Sequence, residues 1–226
     1  MNVQEKLKYI SSYTSKVLRN KFGRGPESCF AATADHFLVL QIRGFVSPME
    51  EVLLQENQHV QVDHARDVVI KSILAELKGV FQVTLETEVR NFFDDWNFQN
   101  NTGIIIAELD DSLIPMEKNQ TINFSLLEAE VARISYLVEK TPQETYSFQI
   151  SSKIFIVKRE GILVPIEKAL IEAGFEKELH FTKDDLEKSY LHRYGKFDQI
   201  FEQAVTDIFV DWDFKLDNSL ICFILK

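Results

Sequence analysis

Four groups of residues have types and spacings that could do chemistry. Gly23-Arg24-Gly25-Pro26-Glu27-Ser28 offers two glycines and an arginine. Glycines let a backbone approach a ligand closely, and a guanidinium grips a carboxylate or phosphate through two parallel hydrogen bonds. This turn follows a helix and precedes a strand, whereas phosphate loops follow a strand and open a helix, so a structural turn is the stronger reading. Asp95-Trp96-Asn97-Phe98 could stack a planar ring, since strand alternation places Trp96 and Phe98 on one face; an aromatic core anchor gives the same pattern and is preferred. His59, Asp63 and His64 have the residue types of a metal site, but the gap spans a loop-to-helix junction with no cysteine near, so solvated polar residues are expected. Asp94-Asp95 and Asp110-Asp111 are adjacent carboxylates with nothing to place them in a cleft. The chain contains no nucleophile elbow, glycine-rich nucleotide fingerprint or paired-cysteine motif, and no catalytic residue, metal or cofactor is assigned.

The second of these groups leads to the organisation of the chain. Asp95-Trp96-Asn97-Phe98 recurs as Asp211-Trp212-Asp213-Phe214, an offset of 116 residues, and Gly44…Pro48…Glu50 recurs as Gly161…Pro165…Glu167, an offset of 117. Two independent landmarks at nearly one offset mean a domain written twice. The expected division is a first copy over 1–110, a linker over 111–122 with Pro115 in it, and a second copy over 123–226.

Within the first copy, Val3, Leu7, Ile10, Val17 and Leu18 form one apolar stripe of a helix over 2–22 that ends at Phe22-Gly23. A hairpin follows, with arms 30–33 and 37–42. The second arm is almost wholly apolar and reads as a central strand. Ser47-Pro48-Met49-Glu50 is a helix start, with a capping serine, proline in the first turn and an acid beside it. A long helix from about Asp63 carries Val69, Ile73, Leu77, Phe81 and Leu85 on one side and Gly79 inside it. Asp63, Arg66 and Asp67 in its first turns read as capping and surface pairs. A second hairpin, 89–98 and 104–109, closes the copy. The series then repeats. Ser125 and Glu128 have capping-box spacing before the helix bearing Leu127, Val131, Ile134 and Val138, and Gly195 stands in the next long helix, from about Asp184, as Gly79 does in the first. The fold class is therefore α+β: two tandem copies of an α-β-β-α-α-β-β unit, each a four-stranded antiparallel sheet with helices on one face, related by a pseudo-two-fold axis.

Composition bounds the function. The chain of 226 residues has a net charge of −10, with 11 basic against 16 acidic residues in 1–113 and 14 against 19 in 114–226. Neither half has a basic run, which argues against nucleic acid or an anionic lipid surface as the partner. The N-terminus lacks the apolar segment of a secretory signal, and apolar runs such as 104–107 are far too short for a membrane span, so no direct membrane insertion is expected. Cys29 and Cys222, one in each half, fit a reduced cytoplasmic setting.

The runs Lys21-Phe22-Gly23-Arg24-Gly25-Pro26-Glu27-Ser28 and Leu38 to Glu50, the latter ending Gly44-Phe45-Val46-Ser47-Pro48-Met49-Glu50, resemble the bacterial MpsC family. Its members show a Gly-Arg-Gly-Pro turn, a hydrophobic hairpin, and a Gly-x-Leu-(Thr/Ser)-Pro-x-Glu segment leading into helices. The resemblance covers roughly residues 1–110. The family name derives from association with a sodium-translocating, membrane-potential-generating system that includes membrane and bicarbonate-handling proteins. The resemblance implies a soluble, non-catalytic accessory component with a protein partner, one from the membrane system among the candidates, and room for a homodimer. The second copy departs at the Gly-Arg-Gly-Pro turn, now Lys140-Thr141-Pro142-Gln143, and at Ser47, now Val164. An alternative reading is a small-anion or metabolite module in a groove between the copies, using Gly23, Arg24, Gly25 and Arg43. A third, an enzyme, has no set of residues to name.

Overall fold

A computed structural model describes residues 1–115 and 122–226. The chain divides into two compact units, Met1–Ile114 and Pro115–Lys226. Of the expected linker, 111–122, residues 116–121 lie outside the described residues.

The first unit runs α1 (Val3–Phe22), β1 (Ser28–Ala34), β2 (Phe37–Arg43), α2 (Pro48–Gln55), α3 (His59–Leu85), β3 (Val89–Asn97) and β4 (Thr102–Leu109). The second runs α4 (Phe124–Val138), β5 (Glu144–Gln149), β6 (Ile154–Glu160), α5 (Pro165–Glu172), α6 (Glu176–Tyr194), α7 (Phe197–Phe201), β7 (Val205–Asp213) and β8 (Asn218–Leu225). Each unit holds a four-stranded antiparallel sheet, in the orders β1-β2-β4-β3 and β5-β6-β8-β7. The two hairpins of each unit join through their second arms. Those arms are the most apolar strands, and a central position is the only one that removes both faces of a strand from water: Leu38, Val39, Leu40, Ile105 and Ile106 are all buried, as is every residue of β8. The match between units extends to irregularities. A β-bulge interrupts β3 between Val89 and Asn91 and β7 between Val205 and Asp207.

Helix ends follow local chemistry. Asn2 and Glu5 form a reciprocal capping box at α1, and Gly23 closes it in the left-handed conformation, φ 75°. Ser47 and Glu50 cap α2 in the same way, with the Ser47 amide donating to Glu50 Oε2 at 2.8 Å. At α5 only half of this box survives. The Val164 amide donates to Glu167 Oε2 at 2.8 Å, but a valine side chain accepts nothing in return.

Four sequence expectations are corrected. α3 starts at His59, four residues before Asp63, because Val62 is buried with the stripe. α4 is capped by Asn123, whose side chain accepts from the Leu126 amide at 3.3 Å; Glu128 instead receives the Ser147 amide of β5 at 2.9 Å. α6 begins at Glu176, ahead of Asp184. Gly195 does not lie inside a helix as Gly79 does. It is extended, φ −73° and ψ 137°, and ends α6, so the chain restarts as α7.

In the first core, Leu7, Ile10, Val17 and Leu18 of α1 and Ile70, Ile73, Leu77, Phe81 and Leu85 of α3 lie on Leu38, Leu40, Ile42, Ile105, Ala107 and Leu109 of the sheet. The second core is richer in aromatics, with Phe155, Phe197, Phe201, Trp212, Phe214 and Phe223. Trp96 is half-buried and lies across Gly103, where an added Cβ would stand 2.1 Å from the indole. Gly79, exposed inside α3, has open space around it. G103A is therefore expected to destabilise by about 1–3 kcal/mol and G79A to stabilise by about 0.5–1 kcal/mol, both read from urea-denaturation midpoints.

Candidate functional site

The first unit carries a shallow, open groove of about 470 Å³ lined by Arg24, Val46, Glu51, Leu54, Gln55, Phe98 and Asn101. Four connections form its walls: the α1–β1 turn, the β2–α2 link, α2 itself and the β3–β4 turn. Gly25 lets the first wall fold back on its own helix, since a Cβ there would stand 2.8 Å from Arg19 Nε. Gly44, at φ 66°, leaves room for Glu27, whose Cδ lies 2.3 Å from where a Cβ would be. Asn101 joins two walls. Its carbonyl accepts from the Gly44 amide at 2.9 Å and its side chain from the Phe45 amide at 2.6 Å.

Behind the groove stands a charge that sequence reasoning placed on the surface. Arg66 is 3% exposed, not solvated. Its Nε donates to Glu50 Oε1 at 2.8 Å, and its Nη2 to Glu50 Oε2 at 2.7 Å and to the Phe45 carbonyl at 2.8 Å. Its Cζ lies 4.5 Å from the ring centre of Trp96, 4.8 Å from Phe98, 5.2 Å from Phe45 and 5.6 Å from Phe22. The planar guanidinium thus satisfies its donors in one plane and offers its faces to rings. Phe98 belongs to both structures, stacked on Arg66 and exposed to the groove. Phe22 immediately precedes Gly23-Arg24. This arginine box, Arg66 with Glu50 and the four rings, therefore fixes two of the groove's walls.

Glu50 is pulled two ways. Burial pushes its carboxyl up, but the Arg66 guanidinium and the Ser47 amide outweigh that and hold it below the ordinary carboxylate range.

Of the sequence-derived candidates, Arg24 lines the groove, and Gly23 and Gly25 flank it in the same turn without lining it. Arg43 does not line it; it is exposed at the end of β2, paired in register with Ser28 and Thr102. Trp96 packs and donates its Nε1–H to Asp94 at 3.0 Å. His59 and His64 are exposed on α3, and no group of three potential metal ligands occurs among the described residues. Cys29 and Cys222 are free thiols, and burial pushes that of Cys29 up to about 12. No helix among the described residues is long and apolar enough to cross a membrane.

Residues 2–111 match the family model described as Na+-translocating membrane potential-generating system (MpsC). The first unit belongs to the MpsC family. Comparison with curated proteins and with solved structures returned no match. The match covers the groove and the arginine box entirely. The box had a sequence signal that periodicity alone does not expose: Glu50 and Arg66 recur as Glu167 and Lys183, both at an offset of 117. In the second unit Lys183 Nζ contacts Glu167 Oε1 at 2.7 Å.

Removing one partner of the MpsC unit's buried pair leaves an uncompensated charge, so R66M is expected to cost about 3–5 kcal/mol in urea denaturation. Because the folded-state pKa of Glu50 is depressed, its contribution is present above the ordinary glutamate value, about 4.3, and is lost as pH falls through the lower folded value. E50Q should flatten that acid limb; an unchanged limb would show that the pair does not set it.

Proposed function

We propose that the protein is a non-catalytic accessory component of a membrane-potential-generating system and meets a protein partner through the groove beside Arg24. The family match over residues 2–111 supports the system. The observation that supports a peptide-like contact is the lining itself. Arg24 and Glu51 carry opposite charges, while Val46, Leu54 and Phe98 supply apolar surface. A small anion at Arg24 would also meet the field of Glu51. It would lie beside Leu54 and Gln55, at the C-terminal end of α2, where helix polarity disfavours negative charge. An extended protein segment with an apolar side chain flanked by charges of both signs suits the groove better than a free carboxylate or phosphate. The contact would be made on the cytoplasmic side.

The small-anion reading rests on Arg24 and on the two glycines that shape its turn, with Arg43 now apart from them. It predicts thermal stabilisation by bicarbonate or phosphate that R24A abolishes.

The full chain, immobilised, should retain a membrane-system protein from detergent-solubilised membranes of its source. R24E and L54D should each weaken that retention by about 2 kcal/mol or more, roughly thirtyfold in Kd, as expected of residues central to an interface. Undiminished retention of the same protein by both variants would overturn the assignment of the groove.

A further inference from the structure

The second unit buries a cluster of five ionisable side chains that the groove does not use. Lys183 of α6 lies among three carboxylates, 2.5 Å from Glu139 Oε2, 2.7 Å from Glu167 Oε1 and 3.4 Å from Glu187 Oε1. Arg159 of β6 reaches Glu187 Oε2 at 2.7 Å and donates to Ser219 Oγ at 2.8 Å and Ser135 Oγ at 2.9 Å. The side chains of all five are less than a tenth exposed. Trp212 roofs the cluster, donating its Nε1–H to Glu187 Oε1 at 3.2 Å, with Lys183 Nζ 5.7 Å from its ring centre.

The first unit has no counterpart to three of these charges. At the offset of 117, Glu139, Arg159 and Glu187 replace Phe22, Ile42 and Ile70, while Lys183 and Glu167 replace Arg66 and Glu50. The additions are one cation and two acids. The cluster therefore sets two cations against three carboxyls, and a buried site far from water cannot hold an unbalanced charge cheaply. Its geometry shows where the balance is made. Glu139 Oε2 and Glu187 Oε1 both reach the one ammonium of Lys183, at 2.5 and 3.4 Å, and a proton held by this pair of carboxyls removes the repulsion between them. Without that proton Glu139 Oε1 is a buried acceptor with no donor.

We propose that this cluster is a proton-linked latch, in which Glu139 closes the end of α4 over Lys183 and Glu187 only while the pair of carboxyls holds one proton. On opening, the carboxyl O–H bond of Glu139 breaks, the proton passes to water, and the cluster is left with one negative charge in excess. That charge is relieved by swinging Glu139, the residue immediately after α4, into solvent.

The charged groups acting on Glu139 are Lys183 and Glu187 of α6; Glu167 of α5 and Arg159 of β6 join the cluster through those two, Glu167 on Lys183 and Arg159 on Glu187. His180, one turn before Lys183, is tied to Asp211 of β7 at 2.8 Å and stands edge-on to Trp212 at 5.2 Å. Lys140, next to Glu139, points its ammonium at the Leu163 carbonyl, 3.0 Å away. Burial, and then the Glu187 carboxylate, push Glu139 up to about 9. Burial works against ionisation of Glu187 as well, but the Arg159 charge holds that group down. Because the folded-state pKa of Glu139 is raised, the closed form is fully favoured below the ordinary glutamate value and loses ground progressively as pH rises through about 9.

The test is NMR titration of the full chain carrying 13C-labelled glutamate side-chain carboxyls, followed together with the indole N–H of Trp212. One carboxyl is expected to keep its proton through pH 7, with a midpoint above neutrality against about 4.3 for an ordinary glutamate. The Trp212 indole signal should move with that same midpoint, and E139Q should remove the high-pH carboxyl while leaving the glutamates outside the cluster unchanged. If every carboxyl has titrated by pH 6, or if the high-pH resonance persists in E139Q, the latch is refuted. Should E139Q fail to fold, the wild-type titration decides: an indole signal that does not follow the high-pH carboxyl refutes the latch, and one that does supports it.

Discussion

A buried acid–base pair between the short helix and the long one holds each unit together at its open end. In the first unit, Glu50 uses its carboxylate twice, accepting the amide of Ser47 to cap α2 and pairing with Arg66 of α3. In the second, Glu167 accepts the amide of Val164 and pairs with Lys183 of α6. Once an N-terminal capping carboxylate is buried beneath a neighbouring helix, its charge has to be matched, because an isolated buried ion costs several kcal/mol. The cation must come from the first turns of the long helix, which fixes that helix's rotation and brings its apolar stripe down onto the sheet. The capping requirement of an eight-residue helix thereby sets the orientation of the unit's largest element.

The two units solve the surroundings of this pair differently, and the difference follows from the cation. A guanidinium has donors in its plane and bare faces, so Arg66 sits among Phe22, Phe45, Trp96 and Phe98 with only one acid to satisfy. An ammonium directs its donors tetrahedrally and is more strongly hydrated, so Lys183 has acids on several sides. The tryptophans follow suit. Trp96 lies flat on Gly103 and bonds locally to Asp94, while at the matching positions Trp212 faces Ser219 across the strand pair and donates to Glu187. A strand position that is glycine in one unit and serine in the other separates a hydrophobic stacking surface from a polar one.

The same contrast shapes the groove of the first unit. Aromatic packing around Arg66 places Phe98 and the Gly23–Pro26 turn so that an open, mixed surface remains between them and α2. In the second unit Lys140 spans the corresponding turn to the Leu163 carbonyl, and Glu139 is drawn inward to Lys183. The family match covers the unit that has the arginine box and the glycine turn.

The sequence by itself determined the duplication, the α+β class, the two hairpins per unit, the apolar stripes and the cap at Ser47-Pro48-Met49-Glu50. The duplication shows as landmarks repeated 116 to 117 residues apart, and the others are local or periodic signals carried by residues within a turn or a strand of one another. It also singled out Gly23, Arg24 and Gly25, whose backbone freedom and charge are visible without neighbours. Tertiary structure alone decided that Arg66 is buried, that Arg43 stands apart from Arg24, that Phe98 opens onto a groove while Trp96 packs, and that Gly195 ends α6 whereas Gly79 lies inside α3. A charged residue about two turns into an amphipathic helix looks solvated from either side of its own sequence. Its burial depends on Glu50, sixteen residues earlier, and on rings from three separate elements, and only folding brings those together.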